Sequence, residues 1–153
     1  MNLLHLLYDA DCPVSQRQGE WLARQAAIVP LRLLPHHAEE VGQRFPGVAA
    51  QLTPREFTVI ADDGQFWTGP SAVVTCLFAL EIHRELAERL ADPTLLPLAR
   101  TALELLSREI FELNRLLRRS SIAELEQLLR LNSDAVRRHF HLPPPVSASV
   151  IVR

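Results

Sequence analysis

The chain has 153 residues, 48% apolar and 22% charged, a globular balance that excludes a disordered chain and suffices for one domain with a real core. Its net charge of −2 supplies no whole-chain attraction to nucleic acid or an acidic membrane. No apolar run reaches the ~18 residues of a membrane span. No basic region or cleavage site follows Met1-Asn2, and the two cysteines, Cys12 and Cys76, cannot make a disulfide scaffold, so a reducing, cytoplasmic setting is expected.

Leu3, Leu4, Leu6 and Leu7 form an apolar run broken only by His5, the pattern of a buried central strand. Asp9-Ala10-Asp11 is turn chemistry, and Pro13 suits the first position of a helix, which makes Cys12 its N-cap. That helix is expected over Pro13–Ala27, with Val14, Trp21, Leu22 and Gln25 inward, Gln16, Arg17, Glu20 and Arg24 outward, and close packing at Gly19. Val29–Leu34 reads as a second strand, parallel to the first because a helix joins them. His36–Phe45 reads as a short helix ended by Pro46-Gly47, with Val48–Arg55 as connection. Phe57–Ala61 and Gln65–Thr68 flank the hairpin signal Asp63-Gly64, and Gly69-Pro70-Ser71 opens a helix expected to reach about Leu90.

Beyond Asp92-Pro93 the pattern is helical. One amphipathic helix is expected over Leu98–Arg119. Ser121 and Glu124 form a capping box for another, to about Leu131, and Asn132-Ser133-Asp134 caps a last one ending near Phe140 or His141. Pro143-Pro144-Pro145 stops helix formation. The tail's Val150-Ile151-Val152 could add an edge strand or stay loose. The expected organisation is an α/β domain over 1–91, a helical extension over 92–142 packed on it, and a proline-rich tail over 143–153.

The stretch Tyr8-Asp9-Ala10-Asp11-Cys12-Pro13-Val14-Ser15 resembles the opening motif of the DCC (DUF393) family of predicted thiol-disulfide oxidoreductases, Asp-x-x-Cys-x-x-Cys, with Asp9 and Cys12 matching and Ser15 at the second cysteine. Asp62-Asp63-Gly64-Gln65-Phe66-Trp67-Thr68-Gly69-Pro70-Ser71-Ala72 is similar to that family's strand–turn–strand before a helix, and the resemblance covers roughly residues 1–90. It implies a thioredoxin-like fold, which the order β-α-β-α-β-β-α also fits, and it implies that Cys12 and Asp9 are site residues.

A cysteine at a helix start faces N–H groups of partial positive charge, which favour the thiolate, the form that attacks disulfides. Against this stands the small buried apolar residue that most free cysteines are. Ser15 lies one turn from Cys12, and its hydroxyl could bond the thiolate; it cannot close an internal disulfide. Three outcomes remain: a monothiol cycle resolved by glutathione or another free thiol, a partner held as a mixed disulfide, or a fold kept as a binding module. Cys76 shares a helical stripe with Val73, Leu77 and Leu80 and reads as core.

Asp9 and Asp11 shape the turn, or one relays a proton to a leaving thiolate. Gly69 and Ser71 are candidates to bind a glutathione carboxylate at a helix start, and equally an ordinary strand-to-helix turn. Pro54 is the nearest candidate for the cis-proline that many thioredoxin-like proteins carry, three residues before Phe57. His36-His37 and His139-x-His141 lack companions at metal-site spacing, so no metal is assigned and they read as solvated. Trp21 and Trp67 read as core or groove aromatics. The rival function lies in residues 121–140, which resemble a helix-turn-helix with Arg137 and Arg138 on its second helix. Seven Arg against five acidic residues over Arg108–His139 is only a weak positive excess, so an ordinary helical hairpin is preferred to a DNA reader. The expected partner is a thiol or disulfide substrate, protein or glutathione, with no membrane.

Overall fold

The computed structural model describes residues 1–53, 55–108, 111–131 and 133–141. Pro54, Asn132 and the tail, with Pro143–Pro145 and Val150–Val152, lie outside the described residues. The elements are β1 (Leu4–Tyr8), α1 (Pro13–Arg24), β2 (Leu31–Pro35), α2 (Glu39–Arg44), α3 (Pro46–Ala49), β3 (Thr58–Ala61), β4 (Phe66–Thr68), α4 (Gly69–Ala79), α5 (Arg84–Leu90), α6 (Ala99–Ser107), α7 (Phe111–Arg119), α8 (Ile122–Arg130) and α9 (Ser133–His139). A single 3₁₀ turn, Leu96–Leu98, leads into α6.

The four strands form one mixed sheet in the order β2-β1-β3-β4. β1 pairs with β2 in parallel, Leu4 opposite Leu31, and with β3 antiparallel, Leu4 opposite Ala61. β3 turns into β4 through Asp63-Gly64, where Gly64 takes a φ of +87° that a side chain would oppose and donates its N–H to the Ala61 carbonyl. This is the thioredoxin-like α/β plan, followed by further helices.

Alternation along the strands makes two unlike faces. Leu4, Leu6, Val59 and Ala61 face α1, α4 and the later helices, in one apolar cluster that runs on through Leu103, Leu106, Leu117, Leu128 and Val136. Leu7, Leu34 and Ile60 face α2 and α3 in a smaller cluster with Val41 and Val48. At Gly19 a β-carbon would stand 2.7 Å from Leu33 Cδ1, so α1 approaches the sheet as closely as the sequence suggested.

Several expected boundaries move. α1 stops at Arg24 rather than Ala27, and the helix expected over 69–90 breaks after Ala79 and resumes as α5. Both changes have one cause: Ala27 and Leu80 form an antiparallel bridge, with the Ile28 N–H bonded to Ala79 O at 2.7 Å and the Glu81 N–H to Ala26 O at 3.0 Å. Two distant segments pair more favourably as extended chain than either gains by lengthening its helix. β2 correspondingly begins at Leu31 and includes Pro35. α2 ends before Pro46 as expected, and Pro46 also stands at the first position of α3, where its missing N–H costs nothing. The helix expected over Leu98–Arg119 is present as α6 and α7, on either side of residues 109 and 110. Val14 is not inward but 42% exposed, and Gln18 is buried in its stead.

The later helices meet the sheet domain through α6, which packs on α1 and α4. Glu104 of α6 joins them electrostatically: Arg17 lies 2.7 Å from Oε1, Gln18 Nε2 donates to Oε2 at 2.8 Å, and Arg108 donates to Oε1 at 3.0 Å. Partial burial works against the charge of Glu104, but these donors prevail and hold its carboxyl below the ordinary range. Arg89 of α5 caps α7 by donating to the carbonyls of Arg118 and Ser120. Ser121 and Glu124 form the expected capping box at α8. Among the described residues no helix is long and apolar enough to cross a membrane.

Candidate functional site

β1 and β2 run parallel and end side by side, and the carboxyl end of such a pair is where open α/β sheets place their sites. β1 hands over to α1 there through Asp9–Cys12. Asp9 organises the loop. Its carboxylate Oδ1 accepts the Asp11 N–H at 3.0 Å, its carbonyl accepts the Cys12 N–H at 3.2 Å, and its own N–H donates to Ser15 Oγ at 3.0 Å. The turn role for Asp9 is therefore the one its bonds describe.

Cys12 is the N-cap of α1, with extended backbone (φ −106°, ψ 111°), Pro13 behind it, and its carbonyl accepting the first helical bond from Gln16 at 3.0 Å. The residue is half-buried and in no disulfide among the described residues, beside the exposed Asp11, Pro13 and Val14. The Cys12 side chain makes no cap hydrogen bond to the N–H groups of the helix start. Ser15 Oγ accepts the Asp9 N–H, which ties the first turn of α1 back to the loop.

Cys76 lies in α4 and is fully buried among Val73, Leu77 and Leu80, as its stripe predicted. Burial pushes its thiol up from 9.0 to about 12, so it stays protonated and cannot act as a resolving thiol.

Gly69 and Ser71 open α4. The Gly69 N–H is engaged by the Phe57 carbonyl at 2.9 Å, Pro70 has no N–H, and a Glu56 carboxylate oxygen lies 3.5 Å from where a β-carbon on Gly69 would stand. The helix start that was to receive a glutathione carboxylate thus has few free donors and a carboxylate already beside it. Gly69 itself needs to be glycine for its φ of +57°.

One residue near the loop was missed by the sequence reading. His36, read there as solvated, donates its backbone N–H to Tyr8 O at 2.9 Å at the end of β2, and its Nε2 is inaccessible and unpartnered. Burial lowers its readiness to take a proton, while the backbone of Glu56 and Leu7 and the Asp9 carboxylate pull the other way. Proline-then-histidine at a strand end was the available signal, but only the pairing of β1 with β2 brings that imidazole beside Asp9. His37, His139 and His141 are exposed, as expected. Trp21 is core, its ring 5.4 Å from that of His83, whose pKa burial and Arg118 lower to about 4; Trp67 is half-buried. Arg138 is exposed and Arg137 half-buried with an inaccessible Nε. Among the described residues no three His, Cys, Asp or Glu side chains cluster as a metal ion would require.

No family model, no curated protein and no solved structure matches this chain.

Proposed function

We propose that this protein is a thiol-disulfide oxidoreductase of the DCC (DUF393) kind that works with one thiol, Cys12, in a reducing cytoplasm. The observation that carries the reading is the placement of Cys12, half-buried at the N-cap of α1 beyond the carboxyl end of the central strand β1. There Cys12 stands at the partially positive end of a helix, partly open to an approaching second sulfur. Cys12 attacks a disulfide R–S–S–R′, the S–S bond breaks, Cys12–S–S–R forms and R′ leaves as a thiolate that takes a proton. A free thiol such as glutathione then attacks R, releasing Cys12 as thiolate and R as a new disulfide. With Ser15 in place of a second sulfur and Cys76 buried and protonated, the second step needs that external thiol. Asp9 and Ser15 position the loop.

The test is reduction of a glutathionylated peptide by glutathione. The proposal expects catalysis by the native protein, loss in Cys12→Ser, and in Ser15→Cys a new internal disulfide detectable by mass. Absence of catalysis in the native protein overturns it. A second reading, a redox-inactive binding module, is favoured by the lack of a side-chain cap hydrogen bond at Cys12; it expects partner capture to survive Cys12→Ser.

A further inference from the structure

His5 lies in β1, the second strand of the sheet, on the face covered by α2 and α3. Its side chain is 0% exposed, yet among the described residues neither Nδ1 nor Nε2 has a partner. Its ring rests on that of Phe45, with centroids 5.2 Å apart and planes at 58°. On the same face Thr58 Oγ1 is also buried and unpartnered. A neutral imidazole bears this at a cost; a protonated one, with two N–H donors and a full charge, bears it poorly.

The charged groups that face His5 give a proton no welcome. Arg32 on β2 is its register partner, and Arg44, at the end of α2, lies over the Phe45 ring at 5.5 Å from its centroid. The opposing carboxylates are Glu40 of α2 and Asp62 just after β3. Glu40 is already committed: it accepts from Arg32 at 2.8 and 3.0 Å and from Arg44 at 2.8 Å, and the Arg44 bond holds its carboxyl below the ordinary range. Asp62 is exposed, and its Oδ2 accepts the Asn2 N–H at 2.9 Å.

The cover over His5 is thin. α2 has six residues and α3 four, and their buried contribution is Val41 and Val48 against Leu7, Leu34 and Ile60. Phe45, the residue on His5, also lines an open groove of about 340 Å³ with Val48, Gln51 and Phe66, so the cover is incompletely packed on its outer side.

We propose that α2 and α3 form an acid-released lid: a proton taken up by His5 lifts residues 36–52 off the sheet and bares Leu7, Leu34 and Ile60. Burial first, then Arg44 and Arg32, lower the pKa of His5 in the closed state below its ordinary 6.5. The open state therefore binds the proton first. Closure is at full strength above pH 6.5 and weakens as the pH falls below it, by up to about tenfold per pH unit for one proton, until the closed-state pKa is reached.

Hydrogen exchange on the full chain, corrected for intrinsic rates and followed from pH 7.5 to 4.5, tests this. The amides of Val41, Phe45, Val48 and Ala49, bonded within the lid, are expected to lose protection by up to about tenfold per pH unit below 6.5, while those of Leu103 and Leu106 hold. In His5→Phe, which keeps a ring on Phe45 and removes the proton, the lid amides are expected to show no such fall. Should that variant not fold, the imidazole of His5 is titrated by NMR in the native chain, with uptake expected only as the lid amides open. A fall of equal size in His5→Phe, no fall in the native chain, or a His5 that titrates near 6.5 under a still-protected lid overturns the proposal.

Discussion

Cys12 and Cys76 are the same side chain in opposite surroundings. Cys12 stands in a polar loop at the first residue before a helix, half-buried, with the exposed Pro13 and Val14 beside it. Cys76 stands two turns into α4, with no exposed surface, in the cluster that joins the sheet to the later helices. The contrast is one of burial: Cys12 is partly open to solvent, and Cys76 fills space in the core. On the proposed function, reactivity would follow from the strand-to-helix handover and not from the residue type.

The broadest test of that contrast is labelling. An alkylating reagent at pH 7.5 reaches Cys12 in the native state but Cys76 only through opening, so Cys12 is expected to react at least ~10³-fold faster. Rates within tenfold of each other, read by peptide mass mapping, would break the comparison. Alkali sharpens it. The Cys76 thiol, raised from 9.0 to about 12, is neutral in the fold and ionises first in the unfolded chain. Its stabilising contribution is thus complete below pH 9 and is lost as the pH rises toward 12, up to about tenfold per pH unit in the folding equilibrium. The chain has no lysine to obscure that range. Cys76→Val is expected to flatten this arm of the denaturation profile.

Serine at the two positions separates them in sign. Cys76→Ser buries a hydroxyl and is expected to cost about 1–3 kcal/mol. Cys12→Ser installs a preferred N-cap where no side chain now caps, and is expected to gain about 0.5–1 kcal/mol. Urea denaturation measures both; a loss at Cys12 matching that at Cys76 would show that Cys12 too is core. Ser15→Ala leaves the Asp9 amide without its acceptor, with an expected cost of about 1 kcal/mol and a looser Cys12 loop by hydrogen exchange. The smallest effect is expected away from both sulfurs, at the junction of α1 with α6. Glu104→Gln should cost about 0.5 kcal/mol, less in high salt. Because the carboxyl of Glu104 is held below the ordinary range, the loss should appear above that range and vanish as acid protonates the native residue.

What could be read from the chain was what it encodes locally. Pro13 after Cys12, Asp63-Gly64 between two strands, and Ser121 with Glu124 each specify a backbone conformation within a few residues, and each stands where expected. What could not be read depends on distant partners. Nothing near Arg24 or Ala79 ends a helix; the bridge between Ala27 and Leu80 does. The same holds at the site. The N-cap position of Cys12 was legible, but the Ser15 hydroxyl accepts the Asp9 amide across the loop, and His36 comes under the charge of Asp9 only because β2 lies beside β1. Pro46 is the exception: its helix-opening role is a local signal, obscured by the Gly47 that follows it.

The account rests on the fold making Cys12 reactive, and exchange with glutathione disulfide tests this most directly. Mass-resolved kinetics at pH 7.5 would compare the native chain with the same chain unfolded in urea, where Cys12 has no helix behind it. The expected result is a glutathione adduct on Cys12 that forms faster in the native state, with Cys76 unmodified there. An adduct that forms no faster in the native chain than in the unfolded one would contradict the account.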